Sequence, residues 1–195
     1  EIYESKINKN AEQISYFVGI ANETYDPLLN YASLSAASAV SSHNEILLAQ
    51  LTIIFPSAID MLEINYNHNK IVKDAKAAAA AISCNIDIQN DEDNKITILL
   101  EELVNDLGFV LAADNVLSID GEILLEKTYL KRDLEFVRFE LQINVSDNSG
   151  NVVVSMSEKG REGHISATEA KARAIRTLSK KINKNYPLLD DAFSF

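Results

Sequence analysis

Residues 137–145 of the chain read VRFELQINV. Apolar residues occupy every second position of this stretch, and polar or charged residues fill the positions between them. Because successive side chains of a strand point to opposite faces of its sheet, the alternation predicts a strand with one buried and one solvated face. The buried face needs a second layer of structure to cover it.

The residues on both sides of this strand predict further strands and turns, and so a sheet. Residues 146–151 combine Asp, Asn, Ser and Gly, which is typical of a tight turn, and a second turn is expected at residues 131–133. The other predicted strands lie around Ile86 and Ile88 and over residues 109–112, 117–130 and 152–157. The sheet is therefore expected to have one short strand, then a helix, then four strands.

Two amphipathic helices are predicted to cover the sheet. The first follows the acidic residues 91–93 and ends at Gly108, a typical left-handed cap. The second opens at residues 166–169, which have the form of a capping box, and Pro187 limits it. Their apolar residues are Ile96, Leu99, Leu100, Leu103, Val104 and Leu107 in the first helix and Ala167, Ala170, Ala174, Ile175, Leu178 and Ile182 in the second. Residues 84–195 are therefore predicted to be an α+β sandwich, with two helices on one face of a mostly antiparallel sheet.

Residues 1–83 are predicted to be a mostly helical part built around a helical hairpin. The Asp-Pro pair at residues 26–27 marks a helix start, and Pro56 ends the helical stretch that leads up to it. A face of small residues is expected on this helix: Ala32, Ala36, Ala37, Ala39 and Val40. Residues 70–82 favour a third helix. The YFVGIA stretch at residues 16–21 favours a short strand, with a helix as the alternative.

The composition excludes several classes of protein. Of the 195 residues, 47% are hydrophobic and 24% are charged, as in an ordinary folded protein. With 18 Lys and Arg against 29 Asp and Glu, the net charge is −11, so nucleic acid is not expected as a partner. Cys84 is the only cysteine, which excludes an internal disulfide, and a buried core position is expected for it. The residue spacing predicts no cofactor, metal site or catalytic motif.

The most distinctive short stretch is GREGH at residues 160–164, which is expected to connect the last strand to the last helix. One hypothesis is that Arg161, Glu162 and His164 form a recognition edge or a polar cluster suited to acid–base chemistry. The competing interpretation is a tight connection in which Arg161 pairs with a nearby carboxylate.

A basic stripe on the last helix reverses the acidic charge of the chain locally. Its residues are Arg173, Arg176, Lys180 and Lys184, with Lys171 and Lys181 beside them. One hypothesis is that the stripe docks on an anionic partner or membrane surface. The alternative is a solvated face whose cations suit the C-terminal end of the helix dipole.

Several stretches resemble bacterial envelope proteins. Residues 16–21, followed by a small-residue helix, resemble the opening of the twenty-kilodalton outer-membrane lipoprotein (Lpp-twenty-like) family. FVRFEL at residues 136–141, SMS at residues 155–157 and GREGH at residues 160–164 are similar to envelope lipoproteins that often accompany that family. The order of elements from Cys84 onward also looks like the periplasmic domain shared by CsgG, LpoB and the N-terminal domain of TolB.

This resemblance implies an exported protein of the periplasm or outer membrane, with a lipid anchor upstream of Glu1 and no catalytic residues to carry over. The first hypothesis is therefore a non-enzymatic binding or structural module whose partner is another envelope protein. On this hypothesis the chain contacts the membrane only through its anchor. The alternatives are a small-ligand carrier with a cleft between its two parts and, ranked last, an enzyme centred on residues 160–164.

Overall fold

The computed structural model describes residues 2–57, 62, 64–128 and 134–185 of the chain. The chain divides into two compact units, and the boundary lies between Ala81 and Ile82. The first unit is helical, and the second combines helices with a five-stranded sheet. The predicted α+β class is therefore confirmed.

The described residues of the helical unit form three α-helices. They are α1 (Ile2–Glu23), α2 (Pro27–Ile54) and α3 (His68–Ala80). Both α1 and α3 contact α2. Only residues 24–26 separate α1 from α2, so these two form a helical hairpin. The predicted hairpin consisted of the helices after Asp26 and over residues 70–82, so α1 is an addition to it. The Asp26 carboxylate accepts hydrogen bonds from the backbone N–H groups of Leu28 at 2.9 Å and Leu29 at 3.4 Å. The predicted helix start at the Asp-Pro pair is thereby confirmed.

The strand predicted at residues 16–21 is wrong, because this stretch lies inside α1, as the helical alternative had it. The reason is the spacing of the buried residues of α1. Ile7, Ile14 and Ala21 lie two helical turns apart from one another and so share one face. The prediction that Ala39 belongs to the packed small-residue face of α2 is wrong, because Ala39 is exposed.

A buried polar network joins the elements of the helical unit. The Asn44 side chain is fully buried, and its Nδ2 donates to the carbonyl oxygen of Ile7 at 3.2 Å and to the hydroxyl of Tyr66 at 3.1 Å. Its Oδ1 accepts from Asn10 Nδ2 at 3.1 Å. Asn44 of α2 therefore ties α1 to the segment that precedes α3.

In the part of the sheet unit that the structure describes, seven elements follow one another in the predicted order. They are β1 (Ser83–Gln89), α4 (Lys95–Asp106), β2 (Val110–Leu111), β3 (Leu117–Thr128), β4 (Glu135–Asp147), β5 (Val152–His164) and α5 (Ala167–Asn185). Gly108 has a φ of 84° and ends α4 in the predicted left-handed conformation. The turn predicted at residues 131–133 and the predicted stop at Pro187 lie outside the described residues.

The sheet is mixed, with the strand order β2-β1-β3-β4-β5. β1 runs parallel to β2 and β3, whereas β3, β4 and β5 pair antiparallel. The prediction of a mostly antiparallel sheet therefore holds for the last three strands only. The physical reason is the crossover through α4, which returns the chain to lay β2 parallel to β1.

One face of the sheet carries the core of this unit. The alternate apolar residues of β4 are buried: Val137, Phe139, Leu141, Ile143 and Val145. Both α4 and α5 contact strands of the sheet, and they also contact each other. The two helices therefore cover the same face, as predicted.

Cys84 lies in β1 and is 1% exposed, so its predicted core position is confirmed. Burial disfavours the charged thiolate and raises the pKa of the Cys84 thiol from 9.0 to about 11. Nucleophilic chemistry at neutral pH needs the thiolate, which this environment suppresses. Cys84 is therefore suited to packing.

We expect the Cys84 thiol to make the sheet unit less stable at high pH. Because its pKa is higher in the folded protein than in the unfolded chain, its stabilisation is complete below pH 9.0 and is lost as the pH rises toward about 11. At about pH 10 the loss amounts to roughly 1.4 kcal/mol, and the Cys84→Ala variant lacks it. Urea unfolding of both proteins at about pH 8 and about pH 10 measures the difference. An equal pH dependence in the two proteins contradicts the expectation.

Candidate functional site

Residues 160–164 belong to strand β5, so the prediction that they connect the last strand to the last helix is wrong. Antiparallel pairing with β4 places Gly160 opposite Phe139 and Gly163 opposite Phe136. A Cβ on Gly160 would lie 2.9 Å from two carbons of the Phe139 ring, and one on Gly163 would lie 2.6 Å from the Phe136 ring. The glycines therefore make room for aromatic rings of the neighbouring strand rather than for a turn.

The strand conformation separates the three predicted site residues. Arg161 lies on the face of the sheet away from α5, with its guanidinium carbon 5.3 Å from the centroid of the Phe136 ring. Glu162 lies on the opposite face, where its Oε1 accepts a hydrogen bond from Thr177 Oγ1 at 2.8 Å. His164 ends the strand, and its Nδ1 accepts from the Ser166 N–H at 3.3 Å. The structure therefore does not bring Arg161, Glu162 and His164 together.

The predicted basic stripe, by contrast, forms one continuous surface on α5. Four residues of α5 form its buried face: Ala170, Ala174, Leu178 and Ile182. We name the exposed cations on the outer side the basic ridge, and its members are Arg173, Arg176, Lys180 and Lys184. Successive members are three or four residues apart, so they lie one above the other on the helix. The structure thus brings all four predicted residues into one line.

Glu169 is the acidic neighbour of the ridge at its N-terminal end. Its Oε1 forms an ion pair with the Arg176 guanidinium and lies 3.8 Å from Nε of Arg173. The hydrogen bond from Arg176 holds the pKa of the Glu169 carboxyl below its ordinary value. One carboxylate is thus shared by two arginines, which leaves the ridge cationic.

The other two ridge residues are free of ion pairs within the described part of the chain. No carboxylate of residues 2–57, 64–128 or 134–185 pairs with Lys180 or Lys184, and both side chains are exposed. The positive charge of the ridge therefore increases toward the C-terminal end of α5, where it also suits the helix dipole.

The two lysines beside the ridge have separate positions. Lys181 Nζ donates to Glu158 Oε2 at 2.6 Å and to the carbonyl oxygen of Lys159 at 3.1 Å, which ties α5 to β5. Lys171 lines a shallow cavity of about 250 Å³ together with Thr168 and Asp93. Neither lysine extends the ridge.

The contacts of Glu158 and Glu162 with α5 were not predicted. These two carboxylates lie on the same face of β5 as Val154 and Met156, since side chains alternate along a strand. The signal was the continuation of that alternation through GREGH, which the two glycines obscured. An interpretation as strand would have placed Glu162 under the last helix.

The acidic residues 91–93 precede α4, whose N-cap position is Asn94, and the Asp91 carboxylate caps the first turn of the helix. Its Oδ2 accepts from the backbone N–H groups of Ile96 at 2.9 Å and Thr97 at 2.8 Å, and its Oδ1 accepts from that of Lys95 at 3.1 Å.

Among the described residues, no group of three or more His, Cys, Asp or Glu side chains has the arrangement of a metal site.

The helical unit has a cavity of its own, with a volume of about 370 Å³. Ile14, Val18 and Ile71 form its apolar part, and Asn22 and Lys70 contribute polar groups.

None of the described helices combines the length and the apolar character that crossing a membrane requires.

Comparison with known proteins finds weak structural likeness only. No protein-family model and no curated protein matches the chain. A minor lipoprotein from Acinetobacter baumannii aligns with a TM-score of 0.42 and 13% identity, over 53% of this chain and 90% of that one. A lipoprotein from Neisseria meningitidis aligns with a TM-score of 0.35 and 10% identity, over 52% and 99% of the two chains. A DUF330 protein from Xanthomonas campestris aligns with a TM-score of 0.39 and 10% identity, over 56% and 88%.

Proposed function

We propose that this chain is the folded part of a lipid-anchored bacterial envelope protein that acts as a non-enzymatic binding module. The resemblance of residues 16–21, 136–141, 155–157 and 160–164 to envelope lipoproteins supports an exported location in the periplasm or at the outer membrane. The finer resemblances, to the Lpp-twenty-like family and to the CsgG, LpoB and TolB domain, belong to the same proposal. No cofactor is part of it.

The observation that carries the binding role is the basic ridge on α5. A chain of net charge −11 that aligns four exposed cations on one helix has a local attraction for negative charge. Acid–base catalysis needs convergent groups, and Arg161 and Glu162 lie on opposite faces of the sheet. A role in binding fits this arrangement better than a role in catalysis.

The partner that fits the ridge is an acidic surface of another envelope protein. Attraction between exposed charges is screened within about 8 Å at physiological salt, so the partner must bring its carboxylates close to α5. Nucleic acid fits less well, because the remaining acidic surface of this chain repels a long polyanion.

The lipid anchor is tested in the native host. We expect the full-length precursor, expressed with a labelled fatty acid, to carry the label and to fractionate with the membranes. A protein that is unlabelled and recovered in the cytosol overturns the envelope assignment and leaves the ridge without its proposed setting.

The ridge is tested by charge reversal. We expect the Lys180→Glu/Lys184→Glu variant to capture its envelope partner at least about tenfold less than the wild type from detergent-solubilised envelopes, because two attractive contacts become repulsive. The matched control is Lys73→Glu/Lys76→Glu, which makes the same change in net charge on exposed positions of α3. Quantitative mass spectrometry of the captured proteins measures the effect. Equal capture by the two variants contradicts the proposal.

A further inference from the structure

The C-terminal end of α2 exposes large apolar side chains that no part of the proposed function uses. Ile53 is 83% exposed, Ile54 is 63% exposed and Phe55 is 61% exposed. Ile46, two turns before Ile53 on the same side of the helix, is 56% exposed. We name these four residues the apolar tip.

The apolar tip lies in a stretch without charge. Residues 46–57, ILLAQLTIIFPS, contain no charged residue, although 24% of the chain is charged. The side of α2 that faces the core is already satisfied here, since Leu47 and Leu51 are buried in a cluster with Ile7. The exposed residues of the tip are therefore additional to those that the helical unit needs for packing.

The place of the tip in the fold and its size favour a lipid surface over a second copy of the chain. The cluster of Ile7 with Leu47 and Leu51 sets the beginning of α1 beside the end of α2, so the tip lies at one end of the hairpin. Its four side chains expose on the order of 500 Å². A stable dimer buries about 800 Å² on each partner, which the tip does not provide.

We propose that the apolar tip inserts into the boundary between the lipid headgroups and the acyl chains of a membrane. The apolar face of a helix that lies in the interface enters this zone to a depth of about 5–10 Å without spanning the bilayer, and Ile46 and Ile53 give the end of α2 such a face. Because residues 46–57 carry no charge, insertion avoids the large cost of desolvating an ionised side chain. The tip thus supplies a membrane contact in addition to the proposed lipid anchor.

This inference is independent of the basic ridge and of acylation. The experiment therefore measures membrane binding by the apolar tip under conditions in which neither the ridge nor an acyl chain contributes. Vesicles of zwitterionic phosphatidylcholine offer no net charge to the ridge, and about 0.5 M salt screens the remaining attraction. The protein is prepared without an acyl chain, so binding reports the tip alone. Failure of this test leaves the fatty-acid labelling test untouched.

The chain has no tryptophan, so a single one reports its own surroundings. We expect the emission of the Phe55→Trp variant to shift to the blue on addition of these vesicles and to be quenched by brominated lipid. The matched control is Ile98→Trp, which places the reporter at another exposed apolar position, on α4 of the sheet unit. Its emission is expected to stay unchanged.

Sedimentation with the same vesicles measures the affinity of unlabelled protein. We expect the Ile53→Ser/Phe55→Ser variant to partition about tenfold or more less than the wild type, and the Ile98→Ser/Leu111→Ser variant to partition as the wild type does. Circular dichroism checks that each variant is folded. A wild type that stays in the supernatant, or equal partitioning of the two variants, overturns the proposal. A dimer in light scattering that the tip variant abolishes also overturns it, in favour of a second copy.

Discussion

The Gly160→Ala variant is expected to lose about 2–3 kcal/mol of stability in the sheet unit, because the added methyl group collides with the Phe139 ring. The ring is 1% exposed, so it has no solvent into which to turn. A Cβ at residue 160 would lie 2.9 Å from two of its carbons, well inside van der Waals contact. The ring must move within a packed core, which disturbs β4 and its cover by α5.

Cys84 provides a local measurement of this effect. As the only cysteine, buried in β1, it reacts with a thiol reagent when the sheet unit opens. A loss of about 2.7 kcal/mol raises the rate of labelling roughly 100-fold, since each 1.36 kcal/mol is a factor of ten. An unchanged rate of labelling in the Gly160→Ala variant contradicts the prediction.

Gly19→Ala is the matched control, because it makes the same chemical change where space is free. A Cβ on Gly19 meets nothing within 4 Å, and the residue lies inside α1. Alanine favours a helix over glycine by about 1 kcal/mol, so this variant is expected to stabilise the helical unit. Removing the obstacle by Phe139→Leu should also make Gly160→Ala much less costly, as a double-mutant cycle would measure.

Replacing Asn44 by leucine is expected to cost the helical unit about 3 kcal/mol. Leucine has the same branched skeleton with larger end groups, so the cost combines the loss of hydrogen-bond partners with overpacking at a buried site. Those groups are the Asn10 amide, the Tyr66 hydroxyl and the Ile7 carbonyl, which Asn44 joins at 3.1–3.2 Å. The Ile7 residue is fully buried, so water cannot replace the bond that its carbonyl oxygen loses, whereas the Tyr66 hydroxyl keeps its bond to Glu45 at 3.4 Å.

Urea unfolding followed by circular dichroism at a helix-sensitive wavelength measures this loss. The control is Asn8→Leu, which makes the same substitution at an exposed position of α1 and is expected to change the stability by about 0.5 kcal/mol or less. Tyr66→Phe removes one member of the network and should cost about 1 kcal/mol. If Asn44→Leu and Asn8→Leu behave alike, the network is not a source of stability.

Local periodicity was sufficient to predict the elements whose neighbours in sequence carry the signal. The alternation of residues 137–145 predicted the buried face of β4, and the Asp26 cap predicted the start of α2. The basic ridge was also predictable, because an i, i+3, i+4 pattern on a helix places residues on one side whatever the helix packs against. The prediction of a strand at residues 16–21 is wrong because this short stretch does not include Ile7 and Ile14, whose spacing from Ala21 indicates a helix.

The sequence by itself determined the order of the elements of the sheet unit, the buried side of β4 and the cationic line on α5. Only the tertiary structure decided which residues meet across elements. In the pairing of β4 with β5, Gly160 lies opposite Phe139 and the GREGH residues are part of the strand. Arg161 and Glu162 therefore lie on opposite faces of the sheet. Side-chain direction is a local property of the backbone, whereas the partner across a sheet depends on the register between segments that lie far apart in the chain.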